Sequence, residues 1–236
     1  MINKSLDLDK LKETFNKDKS VIIQNFLELE EAARIYNFLA HDMPEDWWFT
    51  SINDSGEADY KGAEFIRRFK ENLYQISEKH EKVTKAFVKG HFSYIFDRTM
   101  DNHHTSCECR ECKFREFLKT EALLGFVKEI TGAEVKHSNE VFCSRFTSGQ
   151  FLSPHHDVNK GKIGFVYSIS KDWKPEYGGN LYILDEDYKT IKKVVLSTFN
   201  RLVLFDIPSR DGVPHFVSHV APGVANKRIS ITGWFH

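Results

Sequence analysis

The fold is decided by residues 163–207, which read IGFVYSISKDWKPEYGGNLYILDEDYKTIKKVVLSTFNRLVLFDI. This stretch alternates turn residues with short β-rich runs at 163–169, 181–184, 190–196 and 202–205. The connections between the runs are too short to hold the crossover helices that a parallel α/β sheet requires. The stretch therefore predicts antiparallel strands that belong to a barrel or to a two-sheet sandwich.

The β-rich pattern continues on both sides of this stretch, with further runs at 141–146, 216–220 and 229–234. Before about residue 132, apolar residues recur every three or four positions, which is typical of helices. One helix follows a strand-like run at 21–23, a second is marked by the apolar positions from Phe65 through Phe69 to Ile76, and a third lies between Thr120 and Gly132. The sequence predicts an α+β fold with a mainly β core, a jelly roll supported by N-terminal helices.

Composition limits the class of protein. The 236 residues suit one domain, which we divide into a helical supporting half at 1–133, with a cysteine-rich loop at 103–112, and a β core at 134–236. The formal net charge is −1, so no general positive field attracts nucleic acid or an anionic membrane. The charged N-terminus does not resemble a secretory signal, and we find no apolar segment of bilayer length. We expect a cytoplasmic protein with reduced cysteines, without nucleic-acid or membrane partners.

The pattern Ser153-Pro154-His155-His156-Asp157 places a histidine and a carboxylate two positions apart near the end of a strand. In extended chain, residues i and i+2 point to the same face, so His155 and Asp157 are able to converge on one metal ion. His215 begins a later strand and is the candidate third ligand. Two histidines and one carboxylate form a facial triad that leaves positions open on Fe(II), whereas zinc normally takes fewer ligands. Alone, an H-x-D pattern is weak in a chain with 11 histidines.

The second half of the chain, from about residue 141 to the C-terminus, resembles the Fe(II)- and 2-oxoglutarate-dependent dioxygenases of the prolyl-4-hydroxylase-like group. The resemblance rests on CSRFTSGQFLSPHHD at 143–157, YSISKDWKPEYGGNLYIL at 167–184, RLVLFDIP at 201–208 and HFVSHVAPGVANKRISITGWFH at 215–236. It implies a double-stranded β-helix fold, iron ligation by His155, Asp157 and His215, and consumption of 2-oxoglutarate and O2. The expected reaction is hydroxylation of an unactivated carbon of an amino acid, free or peptidyl and possibly prolyl, with release of succinate and CO2.

The resemblance also implies how the cosubstrate is held. The R-x-S pattern near the C-terminus assigns Arg228 to the remote carboxylate of 2-oxoglutarate, with Ser230 assisting. A buried guanidinium suits this role because it keeps its charge and offers two parallel hydrogen bonds to a carboxylate. Members of the group often carry a tyrosine nine or ten residues before the first iron-binding histidine, where this chain has Arg145 and Phe146. Because Phe146 cannot donate a hydrogen bond, we predict that Arg145 or another polar group replaces the tyrosine contact, or that the cosubstrate is held less firmly.

Three cysteines, Cys107, Cys109 and Cys112, lie close together in the first half and follow His103 and His104. Three thiolates and one imidazole would complete a tetrahedral zinc site, so a structural zinc ion is one interpretation. An ordinary loop with reduced thiols and a redox-sensing loop are the alternatives. Cys143 lies in an apolar strand and is interpreted as a small buried hydrophobic residue.

Two other functions remain open. One is a β-sandwich sensor or interaction module that holds a metal ion without turnover. The other is a zinc-dependent hydrolase built on His155, Asp157 and His215, which would leave Arg228 without a role. The sequence does not determine the oligomeric state or the substrate.

Overall fold

The computed structural model describes residues 1–56, 63–66, 70–99, 107–207 and 213–236. The α-helices of these residues are α1 (Leu8–Asp18), α2 (Leu29–Asn37), α3 (Lys70–Val88), α4 (Arg110–Phe117) and α5 (Glu121–Thr131). The strands of the first half are β1 (Ser20–Gln24), β2 (Trp48–Gly56), β3 (Ala63–Ile66) and β4 (Phe92–Thr99). The strands of the second half are β5 (Ser138–Phe146), β6 (Phe151–His155), β7 (Ile163–Ser168), β8 (Leu181–Leu184), β9 (Ile191–Val195), β10 (Arg201–Asp206), β11 (His215–Val217) and β12 (Arg228–Phe235).

All these strands join one antiparallel sheet that curls into a nearly closed barrel. The order along the sheet is β1-β10-β7-β12-β5-β4-β6-β11-β8-β9, and β2 pairs with both β4 and β3. Neighbours in this order are mostly distant in sequence, as expected where short connections alternate between the two sides of a jelly roll. The predicted mainly β core with supporting helices is confirmed.

The two ends of the sheet, β1 and β9, meet at a seam that is bridged by a side chain. The ammonium group of Lys193 on β9 lies 3.0 Å from the Asp18 carboxylate. The same group donates to the backbone oxygen of Ser20 at 3.2 Å and to its hydroxyl at 3.0 Å. The side chain of Lys193 thus connects β9 to β1. Backbone hydrogen bonds between these two strands would otherwise close the barrel.

Apolar side chains divide between the two faces of the sheet. The outer face packs against α1, α2, α4 and α5, and it includes Cys143, Tyr167 and Ile231. The interior of the barrel is filled by a second set that includes Phe146, Phe205 and, at the other end, Trp234. The helix α3 covers β2 and β4 through a smaller cluster. Because side chains alternate along a strand, this division fixes which residues of each strand face the interior.

The first half contains more strands than the mainly helical support predicted from sequence. The helix between Thr120 and Gly132 is confirmed: Thr120 caps it through the backbone N–H of Leu123, and Gly132 ends it at φ 71°. The pattern from Phe65 to Ile76, in contrast, spans the strand β3 and the start of α3, and Phe69 lies outside the described residues. The strand β4 sits between β5 and β6, so the first half supplies part of the barrel wall itself.

No helix of the described ranges has the length and apolar character that crossing a membrane requires.

Candidate active site

Two strands bring the predicted metal ligands together. The strand β6 ends at His155, β11 begins at His215, and the two residues are paired across the ladder. Asp157 follows His155 by two positions, and one ligand atom from each of the three residues lies within 4.8 Å of the others. His155 and His215, which are about 60 residues apart in sequence, are thus brought together by antiparallel pairing of their strands. With Asp157 they form a cluster of two histidines and one carboxylate.

Backbone carbonyls orient both imidazoles. The Nδ1 atom of His155 lies 3.0 Å from the carbonyl oxygen of Ser153, and that of His215 lies 2.9 Å from the carbonyl oxygen of Val213. A carbonyl only accepts hydrogen bonds, so each Nδ1 carries the proton and each Nε2 keeps its lone pair. The Nε2 atoms face the carboxylate of Asp157 at 3.8 Å and 3.6 Å. Burial, with the neighbouring His215, lowers the pKa of His155 to about 4, which keeps this imidazole neutral.

The third ligand is held by a tryptophan. The indole Nε1 of Trp234 on β12 donates to Asp157 Oδ2 at 3.0 Å. Burial acts to raise the pKa of Asp157, but this hydrogen bond and the positive charge of nearby Lys160 help to keep it below its ordinary value. Asp157 is therefore an ionised carboxylate, held in one orientation by Trp234, that is able to bind a metal cation. Sequence reasoning gave Trp234 no role, although it lies on the same face of β12 as Arg228 and Ser230.

A buried cation faces the interior at the other end of β12. Arg228 is 2% exposed, and its guanidinium lies over the Phe146 ring at 4.8 Å from the centroid. One nitrogen donates to the hydroxyl of Ser230 at 3.0 Å, while the buried Nε has no hydrogen-bond partner. Burial lowers the pKa of Arg228 to about 10, and no carboxylate of the described residues offsets this effect. A buried guanidinium without a neighbouring negative charge is stabilised when an anion binds to it, so this position favours an anionic ligand.

Serine hydroxyls from neighbouring strands surround this cation. In the sheet register, Ser230 of β12 lies directly opposite Ser144 of β5 and Ser168 of β7. The hydroxyls of Ser144 and Ser230 are 2.9 Å apart, and that of Ser168 lies 2.7 Å from Ser197. Only Ser230 was predicted from sequence, because the others are brought beside it by strand pairing, which leaves no local sequence signal.

The prediction that Arg145 contacts the cosubstrate needs correction. Arg145 lies between Ser144 and Phe146 on β5, and both of these face the interior, so Arg145 points to the outer side. There its Nε donates to Asp97 at 2.8 Å, and its other nitrogens donate to both carboxylate oxygens of Glu45. The guanidinium also lies over the ring of Trp48. Arg145 is a structural ion-pair residue, and Phe146 occupies the interior position instead.

Replacing Arg145 with methionine is expected to lower the free energy of unfolding by about 3–5 kcal/mol, because the fully buried Asp97 would lose its cation. Urea unfolding measures the loss. Lys227→Met, which removes the exposed second cation of Glu45, is the matched control and should change stability by no more than about 1 kcal/mol. An Arg145→Met protein as stable as the control would contradict this assignment.

The predicted cysteine cluster is also assembled. The sulfur atoms of Cys107, Cys109 and Cys112 all lie within 4.8 Å of one another, and none forms a disulfide. His103 and His104 lie outside the described residues. Cys143 is fully buried, and burial raises the pKa of its thiol well above the ordinary value, in line with its predicted role as a small hydrophobic residue.

Comparison with known families adds to this geometry. Residues 141–236 match the family model of the 2OG-Fe(II) oxygenase superfamily. The matched range begins within β5 and includes every member of the proposed iron triad and the buried Arg228. The resemblance identified from sequence is thereby confirmed for this part of the chain. No curated protein sequence matches the chain.

Solved structures with the same fold cover nearly the whole chain. An oxidoreductase of the 2OG-Fe(II) oxygenase family from Burkholderia pseudomallei is 12% identical with a TM-score of 0.63, covering 100% of this chain and 92% of its own. A Pseudomonas putida prolyl-4-hydroxylase is 15% identical with a TM-score of 0.56, covering 97% and 98%. A Trichoplax adhaerens prolyl hydroxylase, in complex with a hypoxia inducible factor peptide fragment, is 16% identical with a TM-score of 0.60, covering 99% and 93%. At these identities the likeness establishes the fold alone, a jelly-roll barrel.

Proposed function

We propose that this chain is a 2-oxoglutarate-dependent dioxygenase that holds Fe(II) with His155, Asp157 and His215. The match of residues 141–236 to the family model of the 2OG-Fe(II) oxygenase superfamily supports this proposal. The observation that carries the proposal is the convergence of these ligand atoms within 4.8 Å. We further propose that the chain acts as a single domain of residues 1–236. Residues 134–236 would form its catalytic core, and β1 to β4 would complete the barrel around it.

The donor set fits Fe(II). Two neutral imidazole nitrogens and one carboxylate are ligands that non-heme Fe(II) accepts, and three protein ligands leave positions for a chelating cosubstrate and O2. The carbonyls of Ser153 and Val213 fix the tautomers, and Trp234 fixes the carboxylate. Such supporting contacts raise metal affinity because they orient the ligands before the metal binds.

The environment of Arg228 fits a dicarboxylate such as 2-oxoglutarate. Its buried charge and unpartnered Nε are offset when an anion enters, and a carboxylate accepts two hydrogen bonds from one guanidinium. The hydroxyls of Ser230 and Ser144 lie beside it as further donors. We propose that Arg228 with Ser230 holds the remote carboxylate, while the 2-oxo acid end of the same molecule reaches the metal.

Bound together, Fe(II), 2-oxoglutarate and O2 supply the oxidising chemistry, which yields succinate and CO2 and inserts one oxygen atom into a C–H bond. The residues of the chain orient the metal and the cosubstrate and shield them from water. Arg228 fixes one end of the cosubstrate, and its burial among Phe146 and the serines keeps bulk water away from the ion pair. Asp157 contributes the negative charge at the metal, and Trp234 prevents that carboxylate from rotating.

The substrate we propose is an amino acid, free or within a peptide, with proline the first candidate. Partly exposed aromatic rings lie next to the metal ligands: the Phe92 ring centroid is 5.9 Å from that of His155, and Tyr94 packs against Phe92 at 5.7 Å. Such rings offer an apolar surface on which a compact ring or aliphatic side chain packs. Two of the similar structures are prolyl hydroxylases, which supports the same candidate.

The test is an anaerobic titration of apoprotein with Fe(II) and then 2-oxoglutarate, followed through the weak visible charge-transfer band of a chelated 2-oxo acid. We expect the band with wild type and its loss with His215→Ala. Succinate release with prolyl peptides, free proline and free lysine then identifies the substrate. His219→Ala is the matched histidine control, because His219 stacks on Phe151 away from the cluster and should leave the band intact.

Other outcomes select the remaining hypotheses. Iron binding without the band would contradict cosubstrate chelation and favour a metal-holding sensor. Hydrolytic activity with zinc that is inhibited by iron would favour the zinc hydrolase. The buried Arg228 argues against both alternatives, since neither provides an anion for it.

A further inference from the structure

The cysteine cluster lies on a different part of the molecule from the proposed iron site. Cys107 and Cys109 precede α4, and Cys112 lies in its first turn. All three side chains are partly exposed, in contrast to the buried Cys143. Cysteine is among the residue types most often buried, so three half-exposed thiols that converge on one point require an explanation other than packing.

The sulfur positions suit one tetrahedral metal ion. Zinc binds thiolate at about 2.3 Å, so sulfurs on a tetrahedral centre lie about 3.8 Å apart. The three sulfurs of this cluster lie within 4.8 Å of one another. A disulfide explains the cluster less well, because it joins only two sulfurs, at about 2.05 Å, and leaves the third without a role.

Backbone N–H groups also point at the sulfur atoms. The N–H of Cys109 donates to Cys107 Sγ at 3.3 Å, and that of Cys112 donates to Cys109 Sγ at 3.5 Å. Such donors stabilise metal-bound thiolates, which carry negative charge that neutral thiols lack. A cleft beside Cys109 is lined by charged residues of both signs, including Arg110, Lys113 and Glu108, so the cluster lies at a polar surface.

We propose that Cys107, Cys109 and Cys112 bind a structural zinc ion that fixes the start of α4. The fourth position of the tetrahedron is taken by water. The proposal does not depend on the oxygenase activity, because none of these cysteines belongs to the iron triad.

The metal would stabilise an element that is weak on its own. The helix α4 has eight residues, and Cys109 replaces the serine, threonine, asparagine or aspartate usual at a helix N-cap. Its Glu111 is buried and accepts a hydrogen bond from Thr99 of β4, whose hydroxyl in turn accepts from the backbone N–H of Cys143 on β5. The zinc ion thus anchors a helix that is tied directly to the barrel wall.

Metal analysis tests the zinc site in a protein whose iron triad has been disrupted, so that any bound zinc is assigned to the cysteines. His215→Ala protein, expressed with zinc and dialysed against EDTA, should retain about one zinc ion per chain. Adding Cys112→Ser should remove it, whereas adding Cys143→Ala, the matched control cysteine, should leave it. Zinc-free His215→Ala protein, or zinc that persists after Cys112→Ser, would overturn the proposal.

A second measurement uses the unmodified chain, because the serine variant is at risk of misfolding. Titration of native protein with a mercurial thiol reagent should release one zinc ion as the three partly exposed thiols react, and X-ray absorption at the zinc edge should show about three sulfur neighbours. Absence of zinc release, or a disulfide between two of the three cysteines in freshly isolated protein, would overturn the site.

Discussion

Arg228→Ala protein requires about 100- to 1,000-fold more 2-oxoglutarate for half-maximal turnover than wild type. The guanidinium is the buried cation proposed to meet the remote carboxylate, and charge-assisted hydrogen bonds contribute about 1.5–3 kcal/mol each. Arg228→Lys should fall between the two proteins, because an ammonium keeps the charge without the planar pair of donors. Steady-state kinetics with varied cosubstrate measures the effect, while Fe(II) affinity should change little.

The exposed neighbour Lys227 is the matched control, since Lys227→Ala removes a cation that lies one residue before β12 and pairs with Glu45. It should leave the cosubstrate requirement unchanged. The same pair of variants gives a readout without turnover: saturating 2-oxoglutarate with Fe(II) under anaerobic conditions should raise the Tm of wild type and Lys227→Ala but not of Arg228→Ala. An unchanged requirement in Arg228→Ala would place the cosubstrate anchor elsewhere.

Asp157→Ala should abolish hydroxylation. Substitutions that only disturb the partners of a metal ligand commonly reduce activity or affinity 10- to 100-fold, so loss of the ligand and its charge should exceed about 100-fold. Succinate release and Fe(II) binding are the two measurements. His156→Ala is the control, because His156 is exposed, lies between two proposed ligands and is not part of the cluster. Full turnover of Asp157→Ala would refute the triad.

The strands of the second half were predictable because each is a short apolar run between turn residues, and β8 at Leu181–Leu184 matches its predicted bounds. The strand β2, with the sequence WFTSINDSG, was missed because its polar residues do not alternate with apolar ones. These polar side chains are acceptable in a buried strand because partners such as Asp97 satisfy them, as in the hydrogen bond from Thr50. That satisfaction is a tertiary property and leaves no local pattern.

The site shows the same division between local and tertiary information. The H-x-D spacing and the distant His215 predicted a cluster that the fold assembles. Arg145 was one candidate to replace the tyrosine contact because sequence gives the alternation of a strand but not which of its two faces turns inward. The sheet register decides this question, and it places Ser144 and Phe146 beside Arg228 and leaves Arg145 outside.

The lysine bridge at the barrel seam has a consequence for how this protein behaves at high concentration. Strands β1 and β9 end the sheet, and open strand edges are templates on which other chains add strands. Exposed Ile191 and Val194 make β9 attractive to such pairing. Lys193 places a charge at this edge and ties it to Asp18 and Ser20, which disfavours the addition of a further strand between β1 and β9.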